Sequence, residues 1–501
     1  MKTMHGAVLL TLAIATGIST IGRAQVAAGE ARRAPATAAG GFQWVRTLKG
    51  PISGESGDDM VLDAKGNIFI AGHHGGLDLD DDGKVDLAAG GIDPLFLKLE
   101  PDGDISWLRS ATGPGYDSFT RIAADHAGGA YVVGSFRETL TFRQGLSLRS
   151  AGENDGYLAR YDDAGNVLWA RRIGGSGPDT FRDVSSDVAG NAYVLGWSRG
   201  SFTLDGHGTP FQPLGESAAI IASYDPGGGL RWVRSGTAAA SWGVNRVEVG
   251  PAGGVFVAGT FGEGGVDFDA DGRIDIPGRR GPSMYIARFD SAGGGFERAW
   301  SITSEVEPAN VTAIAFAHDG DVMVAGSLAA PADFDGDGVP DAKASGGGET
   351  STFLARYGRD GALRWVRSYA LDGAWHVTAG RGRFVLSGFY RGARDIDEDG
   401  AMERHHSGGE RDSDAAILVV SEQGRPERVW TASGPGNDQA RAAVFPPGQS
   451  ILYVTGFLQV AADFTGEGEY EEGSIRCDAL GDLFIARYDL GEAAAERASD
   501  P

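Results

Sequence analysis

The stretch Asp155 to Gly196, DGYLARYDDAGNVLWARRIGGSGPDTFRDVSSDVAGNAYVLG, decides the fold, because most of the chain rewrites it. Its tryptophan, Trp169, recurs as Trp44, Trp107, Trp232, Trp300, Trp365 and Trp430, at intervals of 62 to 68 residues. Its apolar run YLARYD (157–162) returns as LFLKLE (95–100), IIASYD (220–225), YIARFD (285–290), FLARYG (353–358), ILVVSE (417–422) and FIARYD (484–489). A fixed period of this length is the mark of a repeat architecture.

Within a unit, four short runs rich in Val, Ile, Tyr, Phe and Trp alternate with clusters of Gly, Asp, Asn and Pro, the pattern of strands and turns. Strand A is of the FRDVSSD type, strand B of the AYVLGW type, strand C of the YLARYD type and strand D of the VLWARR type. DVAGN joins A to B and DDAGN joins C to D, tight turns in which Gly supplies positive φ and Asp or Asn bonds to its own backbone. No run keeps an apolar period of 3.6 over a helical length, so almost no helix is expected. Four-stranded antiparallel meanders repeated around a ring form a β-propeller, which leaves only short, protected sheet edges. The chain ends fit closure. FQWVRT (42–47) is a D strand with no C strand before it, and the last unit has A, B and C strands, ending in FIARYDLG (484–491), with no D strand after them. The expected fold is all-β, a seven-bladed β-propeller closed by pairing the N-terminal strand with the C-terminal three.

Residues 1–28 combine Lys2, an apolar stretch from Ala7 to about Ile18 and small residues near Ala24 and Ala28, and read as a secretory signal peptide. That stretch is too short to span a membrane. Residues 29–41 read as a flexible linker, 42–491 as the propeller and 492–501 as a disordered tail. A secreted product is expected, extracellular or periplasmic, monomeric and without membrane insertion. Its one cysteine, Cys477, excludes an internal disulfide framework. A formal net charge of −24 argues against nucleic acid or anionic lipid as a partner. Arginine far outnumbers lysine, and with abundant Ala and Gly this points to a bacterium with a GC-rich genome.

The informative departures from the repeat lie between strands B and C, where four units insert LDLDDDGKVD (77–86), VDFDADGRID (266–275), ADFDGDGVPD (332–341) and RDIDEDGAME (394–403). Carboxylates at positions 1, 3 and 5 with Gly at 6 let the backbone fold sharply, so that several oxygens converge on one hard cation, Ca²⁺. The expected ligands are Asp78, Asp80, Asp82, the Lys84 carbonyl and Asp86 in the first loop; Asp267, Asp269, Asp271, the Arg273 carbonyl and Asp275 in the second. They continue as Asp333, Asp335, Asp337, the Val339 carbonyl and Asp341 in the third, and Asp395, Asp397, Asp399, the Ala401 carbonyl and Glu403 in the fourth. Leu79, Phe268, Phe334 and Ile396 at position 2 should anchor each loop to its blade. The position-12 glutamate of an EF-hand is missing, and no helices flank the loops. A fifth insertion, DFTGEGEYE (463–471), replaces ligands with Thr465 and Glu467 and reads as degenerate. About four Ca²⁺ ions are therefore expected. Meander topology places the B–C loops and the D-to-A connections on one face, with the acidic loops forming one arc. Two other insertions, LTFRQGLSLRSAGEN (140–154) and SFTLDGHGTPFQPLGES (201–217), fill the gap.

Other repeated residues read as structural: Asp117, Asp179 and Asp438 as turn caps, and the Trp-x-Arg pairs at Arg46, Arg109, Arg171, Arg234 and Arg367 as packing between blades. His73, His74, His405 and His406 break the repeat beside acidic loops and are candidates for a metal or ligand role. GWSRG (196–200) matches a nucleophile elbow, but it ends a strand B and lacks the strand-turn-helix context.

The unit GGSGPDTFRDVSSDVAGNAYVLG followed by YLARYDDAGNVLW resembles the SBBP-type beta-propeller repeat of exported bacterial proteins over about residues 42–491. The acidic loops look like those of the FG-GAP propellers of integrin α-subunits. The first resemblance implies a propeller fold and export, the second calcium as a structural ion, and neither hands over a catalytic residue. The expected function is a secreted, calcium-stabilised binding, adhesion or scaffold module for an extracellular protein or glycan. The alternative is a calcium-dependent extracellular enzyme, a phytase-like phosphatase or a polysaccharide lyase or hydrolase.

Overall fold

The computed structural model describes residues 41–491 and Arg32–Arg33, apart from 51–53, 80–83, 206, 209, 213–216, 236, 239–241, 270, 280, 282, 305–308, 346–349, 404–411, 447, 465–474 and 477–480. The expected signal peptide and tail therefore lie outside the described residues. Seven antiparallel sheets of four or five strands follow one another around a ring, and the one helical turn among the described residues is the 3-10 segment Arg143–Gly145. Each sheet runs in the order A, B, C, D. In blade 1 these are Ser56–Leu62, Ile68–His74, Asp93–Leu99 and Ile105–Ser110. The A strands of blades 2 to 7 are Ser118–Ala124, Asp179–Ser186, Trp242–Val249, Ala309–Phe316, Gly373–Gly380 and Gln439–Val444.

Blade 7 closes the ring as the strand pattern implies. Its C strand Asp482–Asp489 pairs antiparallel with Phe42–Leu48, in register from Phe42 opposite Tyr488 to Leu48 opposite Leu483. Arg32–Arg33, which the sequence places in a linker, add a short fifth strand outside Phe42–Leu48. The insertion of blade 2 also differs from a loop. Ala130–Thr141 and Ser147–Tyr161 extend strands B and C into a long hairpin, because Leu140, Phe142 and Leu148 keep apolar side chains pointing inward through the insertion.

The apolar core sits between blades. Seven clusters of buried side chains occur among the described residues, and each straddles one junction of the ring. At the junction of blades 2 and 3, Tyr131, Leu158 and Trp169 pack with Phe181, Val194 and Ile220. The tryptophan of strand D also reaches the C–D turn of the next blade. Nε1 donates from Trp107 to Asp163 O (2.9 Å), from Trp169 to Pro226 O (2.9 Å) and from Trp232 to Ser291 O (3.2 Å). The arginine two residues on grips the same turn, Arg109 Nε donating to Gly165 O (3.1 Å), Arg171 Nε to Gly228 O (2.8 Å) and Arg234 Nε to Gly294 O (3.0 Å). Gly228 has φ +82°, and a Cβ there would stand 2.8 Å from the Trp169 ring. The turn glycine thus serves the neighbouring blade's tryptophan as well as its own turn.

Near the axis, side chains replace sheet pairing between blades. Asp59 Oδ2 accepts from Ile122 N (3.1 Å), Asp183 Oδ2 from Val247 N (2.8 Å) and Ser185 Oγ from Val249 N (3.1 Å). These bonds satisfy inner-edge N–H groups that would otherwise lack partners.

Replacing Trp169 with Ala should cost about 3–5 kcal/mol in urea unfolding, and Gly228→Ala should also destabilise. Val188→Ala, at a side chain 90% exposed, should stay within about 0.5 kcal/mol. Deleting residues 42–47 removes the D strand of blade 7 and should lower Tm sharply; an unchanged Tm would show that closure does not support the ring.

Candidate metal loops and the central channel

The first three acidic insertions are tied at their start to the blade before them. Asp78 N donates to Lys49 O (2.9 Å), while Asp267 lies opposite Thr237 and Asp333 opposite Thr303 in short antiparallel ladders with the preceding D strands. Even the degenerate insertion keeps this tie, through Asp463 N to Ser433 O (3.1 Å). Position 2 is buried throughout, with Leu79, Phe268, Phe334 and Ile396 each 1–2% exposed. Phe334 packs edge-on against Phe353, and Phe268 stacks on Phe296. The acid at position 9 folds back to accept from the position-2 N–H: Asp86 Oδ2 from Leu79 N (2.8 Å), Asp275 Oδ2 from Phe268 N (2.7 Å), Asp341 Oδ2 from Phe334 N (2.7 Å) and Glu403 Oε2 from Ile396 N (2.6 Å).

Among the described residues, three clusters could hold a metal ion: Asp267, Asp269 and Asp271; Asp333, Asp335 and Asp341; Asp395, Asp397 and Asp399. In each, one oxygen per carboxylate lies within 4.8 Å of the others. Asp267 Oδ1 and Asp395 Oδ1 are buried without a hydrogen-bond partner. Asp275 and Glu403 stay outside their clusters, and so does Asp337, whose Oδ1 accepts from Val339 N (2.7 Å). Burial, and after it neighbouring carboxylates, pushes Asp275 and Asp341 upward and Glu403 up to about 7. In the first loop Asp78, Lys84 and Asp86 are described, whereas Asp80 and Asp82 lie outside the described residues, as do Thr465, Glu467, His405, His406 and Cys477.

The histidines of blade 1 serve other partners. His73 Nδ1 lies 2.7 Å from Asp58 Oδ2, and against its burial this carboxylate holds the imidazole above its ordinary value. His74 is fully buried with Nε2 2.9 Å from Ser110 Oγ, and burial pulls it down to about 4, so it is neutral. Asp179 accepts from Gly175 N at 2.6 Å within its own turn, whereas Asp117 and Asp438 reach across to the B strand or its end, each accepting a backbone N–H at 2.8 Å, from Arg137 and Gln459.

The central channel holds what the repeat conceals. Every A strand carries a β-bulge near its start, from Gly57/Asp59 in blade 1 to Ala440/Ala442 in blade 7. A bulge re-aims the side chains beside it. The residues after the bulges form a ring of Asp59, Arg121, Asp183, Arg246, Ala313, His376 and Ala442, alternating in charge over four blades. On the side of the A–B turns, a cavity of about 480 Å³ is lined by Asp59, Arg121, Asp183, Arg246, Ala313, His376 and Glu248. Burial drives Asp59 up to about 6 and Glu248 up to about 8, and draws Arg246 down to about 9 and His376 down to about 3. His376 Nδ1 is buried without a partner. Sequence reading passed over these groups because they occupy strand positions that in a generic repeat carry packing. The signal available was a charged residue in the middle of four A strands.

Glu248 ionises near 4.5 in an unfolded chain and only near 8 when folded. Its contribution to stability is therefore full below the lower value and falls as pH rises through the upper one. Glu248→Gln should flatten the decline of Tm between pH 5 and 8; an identical pH profile would exclude a buried, proton-holding Glu248.

No family model matches the chain. An uncharacterised WD repeat-containing protein of Acanthamoeba polyphaga mimivirus is 25% identical over 218 residues, which is 37% of this chain and 16% of that protein. The chain thus spans about a sixth of the length of the curated relative it matches. Among solved structures, Sqt1 from Chaetomium thermophilum aligns with a TM-score of 0.41 at 10% identity, covering 89% of this chain and 98% of that one. A putative 6-phosphogluconolactonase from Bacteroides fragilis aligns with a TM-score of 0.39 at 13% identity, covering 82% and 95%. The PQQ-bound aldose sugar dehydrogenase of Streptomyces coelicolor gives 0.35 at 13%, covering 73% and 92%. None of these carries a residue or an activity over to this chain.

Proposed function

We propose that the chain is a secreted, calcium-stabilised propeller whose loop face binds an extracellular glycan or protein. The observation that carries the metal reading is the convergence of three carboxylates in each of three loops, with Asp267 Oδ1 and Asp395 Oδ1 buried and unpartnered. A buried carboxylate oxygen without a donor is costly unless a cation or proton supplies one. The ligand set is all oxygen, from flexible turns, which suits Ca²⁺ better than Mg²⁺ with its strict octahedron. The Lys84, Arg273, Val339 and Ala401 carbonyls complete the four sets. The ties between loop and preceding D strand give the ion its role: a loop stiffened by metal holds two blades at once.

The enzyme alternative needs an ordered base among the acidic loops. Among the described residues the pair with that geometry, Asp58 and His73, belongs to strands A and B of blade 1. Binding is therefore favoured over turnover.

A site filled at a hundredfold excess of Ca²⁺ over Kd stabilises the fold by about 2.7 kcal/mol. EDTA should lower Tm well beyond a matched change of ionic strength, and Mg²⁺ should restore it poorly. Calorimetry on stripped protein should count about four ions. Asp269→Ala with Asp271→Ala should remove one, and Asp463→Ala none. A count of zero with Tm unchanged in EDTA would reduce the loops to solvated turns.

A further inference from the structure

The mouth of the channel on the loop face is a second cavity, about 530 Å³, and its chemistry is opposite to that of the rim. In a chain of net charge −24, four guanidinium groups meet there, from Arg121, Arg182, Arg246 and Arg441. The bulges put them there: Arg182 and Arg441 are the extra residues of blades 3 and 7, and Arg121 and Arg246 follow the bulges of blades 2 and 4. Asp59 and Asp183 attract Arg121 and Arg246, and Asp58 attracts Arg441, yet few of the guanidinium donors are hydrogen-bonded. Arg121 Nη1 donates to Thr120 O (2.8 Å), and its Nε stands 4.0 Å from Asp183. Arg246 donates to two carbonyls, Asn245 O (2.9 Å) and Trp375 O (3.3 Å). Arg182 reaches Asn245 Oδ1 at 3.4 Å. Arg441 has no hydrogen bond or ion pair among the described residues; it stacks on Trp375 (4.5 Å) and Phe457 (5.3 Å), with Nε buried and unpartnered. These acids also serve other partners: Asp58 serves Ser56 Oγ and His73 Nδ1, Asp59 serves Met60 N and Ile122 N, and Asp183 serves Val184 N and Val247 N. Each guanidinium has five donors in a fork that matches a carboxylate, and most of these donors have no acceptor among the described residues. Burial, and after it the other arginines, pulls Arg182 and Arg246 below the ordinary arginine value. The remaining lining suits a sugar, with Trp197 and the polar side chains of Asn245, Asn310 and Thr312. The volume is that of a small-molecule site.

We propose that this cup is the ligand site of the loop face and takes the carboxylate of an acidic sugar, a uronic acid unit bound by the four arginines. The assignment rests on the binding-module reading and names its ligand class.

The test is calorimetric titration of the full chain in Ca²⁺ with galacturonate, galactose and inorganic phosphate. Galacturonate should bind saturably and galactose at least tenfold more weakly. Arg441→Gln and Arg246→Gln should each weaken galacturonate at least tenfold, and Lys65→Gln, at an exposed A–B turn, should leave it unchanged. Should Arg246→Gln fail to fold, Arg182→Gln, held by one long bond, takes its place. Absence of galacturonate binding, equal binding of galactose, unchanged affinity in the arginine variants or binding of phosphate alone would each overturn the proposal. Repeating the titration in EDTA separates the two readings. Binding that survives without a calcium effect on Tm leaves the cup standing and removes the metal reading. Absence of binding on a calcium-responsive protein removes the cup alone.

Discussion

A blade of this protein has two apolar faces and can bury neither by itself. All seven core clusters lie between blades, so each sheet is half of two cores and the ring is the smallest unit that hides its own hydrophobic surface. The Trp-x-Arg pair on strand D makes that dependence directional. Trp169 packs under the next blade's turn at Gly228, donates to it, and lets Arg171 hold the same turn from the side. The closing strand Phe42–Leu48 is then a structural necessity, since without it two clusters would lose a wall. Trp44 and Val45 fall in different clusters, one on each face of that strand.

The acidic loops extend the same logic to the surface. In the first three, the first aspartate pairs by its backbone with the chain at or just after the preceding D strand, so it is shared between blades. Burying an aromatic or aliphatic residue at position 2 fixes the loop base, and the acid at position 9 closes it against the position-2 N–H. What remains inside the turn is a group of carboxylates that repel one another. That arrangement is poor as a bare turn and favourable around a divalent cation.

The channel shows how the repeat makes room for individuality. A bulge at one point of every A strand presents a side chain to the axis, and the staples from Asp59 and Asp183 hold adjacent A strands together without a continuous sheet. The repeated geometry is thus a frame in which a single substitution per blade changes the lining. Aspartate and arginine alternate through blades 1 to 4, and small residues or histidine follow. Acidic loops at the rim and arginines at the mouth give one face two adjoining fields of opposite sign.

Blade number, strand order, closure and the acidic loops with their buried position-2 anchors were legible in the sequence, because each leaves a periodic mark: Trp169 and its six copies, the YLARYD runs, and the DxDxDG spacing. Hydrophobic period and turn chemistry are local, and local patterns survive in one dimension. The blade 2 hairpin was missed because its alternation of Leu140, Phe142 and Leu148 lay inside what read as an insertion. The contacts of Arg182, Arg246 and Arg441 lay beyond reach for a stronger reason. These residues come from blades 3, 4 and 7, are separated by 64 and 195 positions in the chain, and become neighbours only because seven sheets close around an axis. The sequence determined the unit and how often it repeats; the tertiary structure alone decided which breaks in the repeat face one another, since ring closure is what converts a position within a blade into a place at the centre.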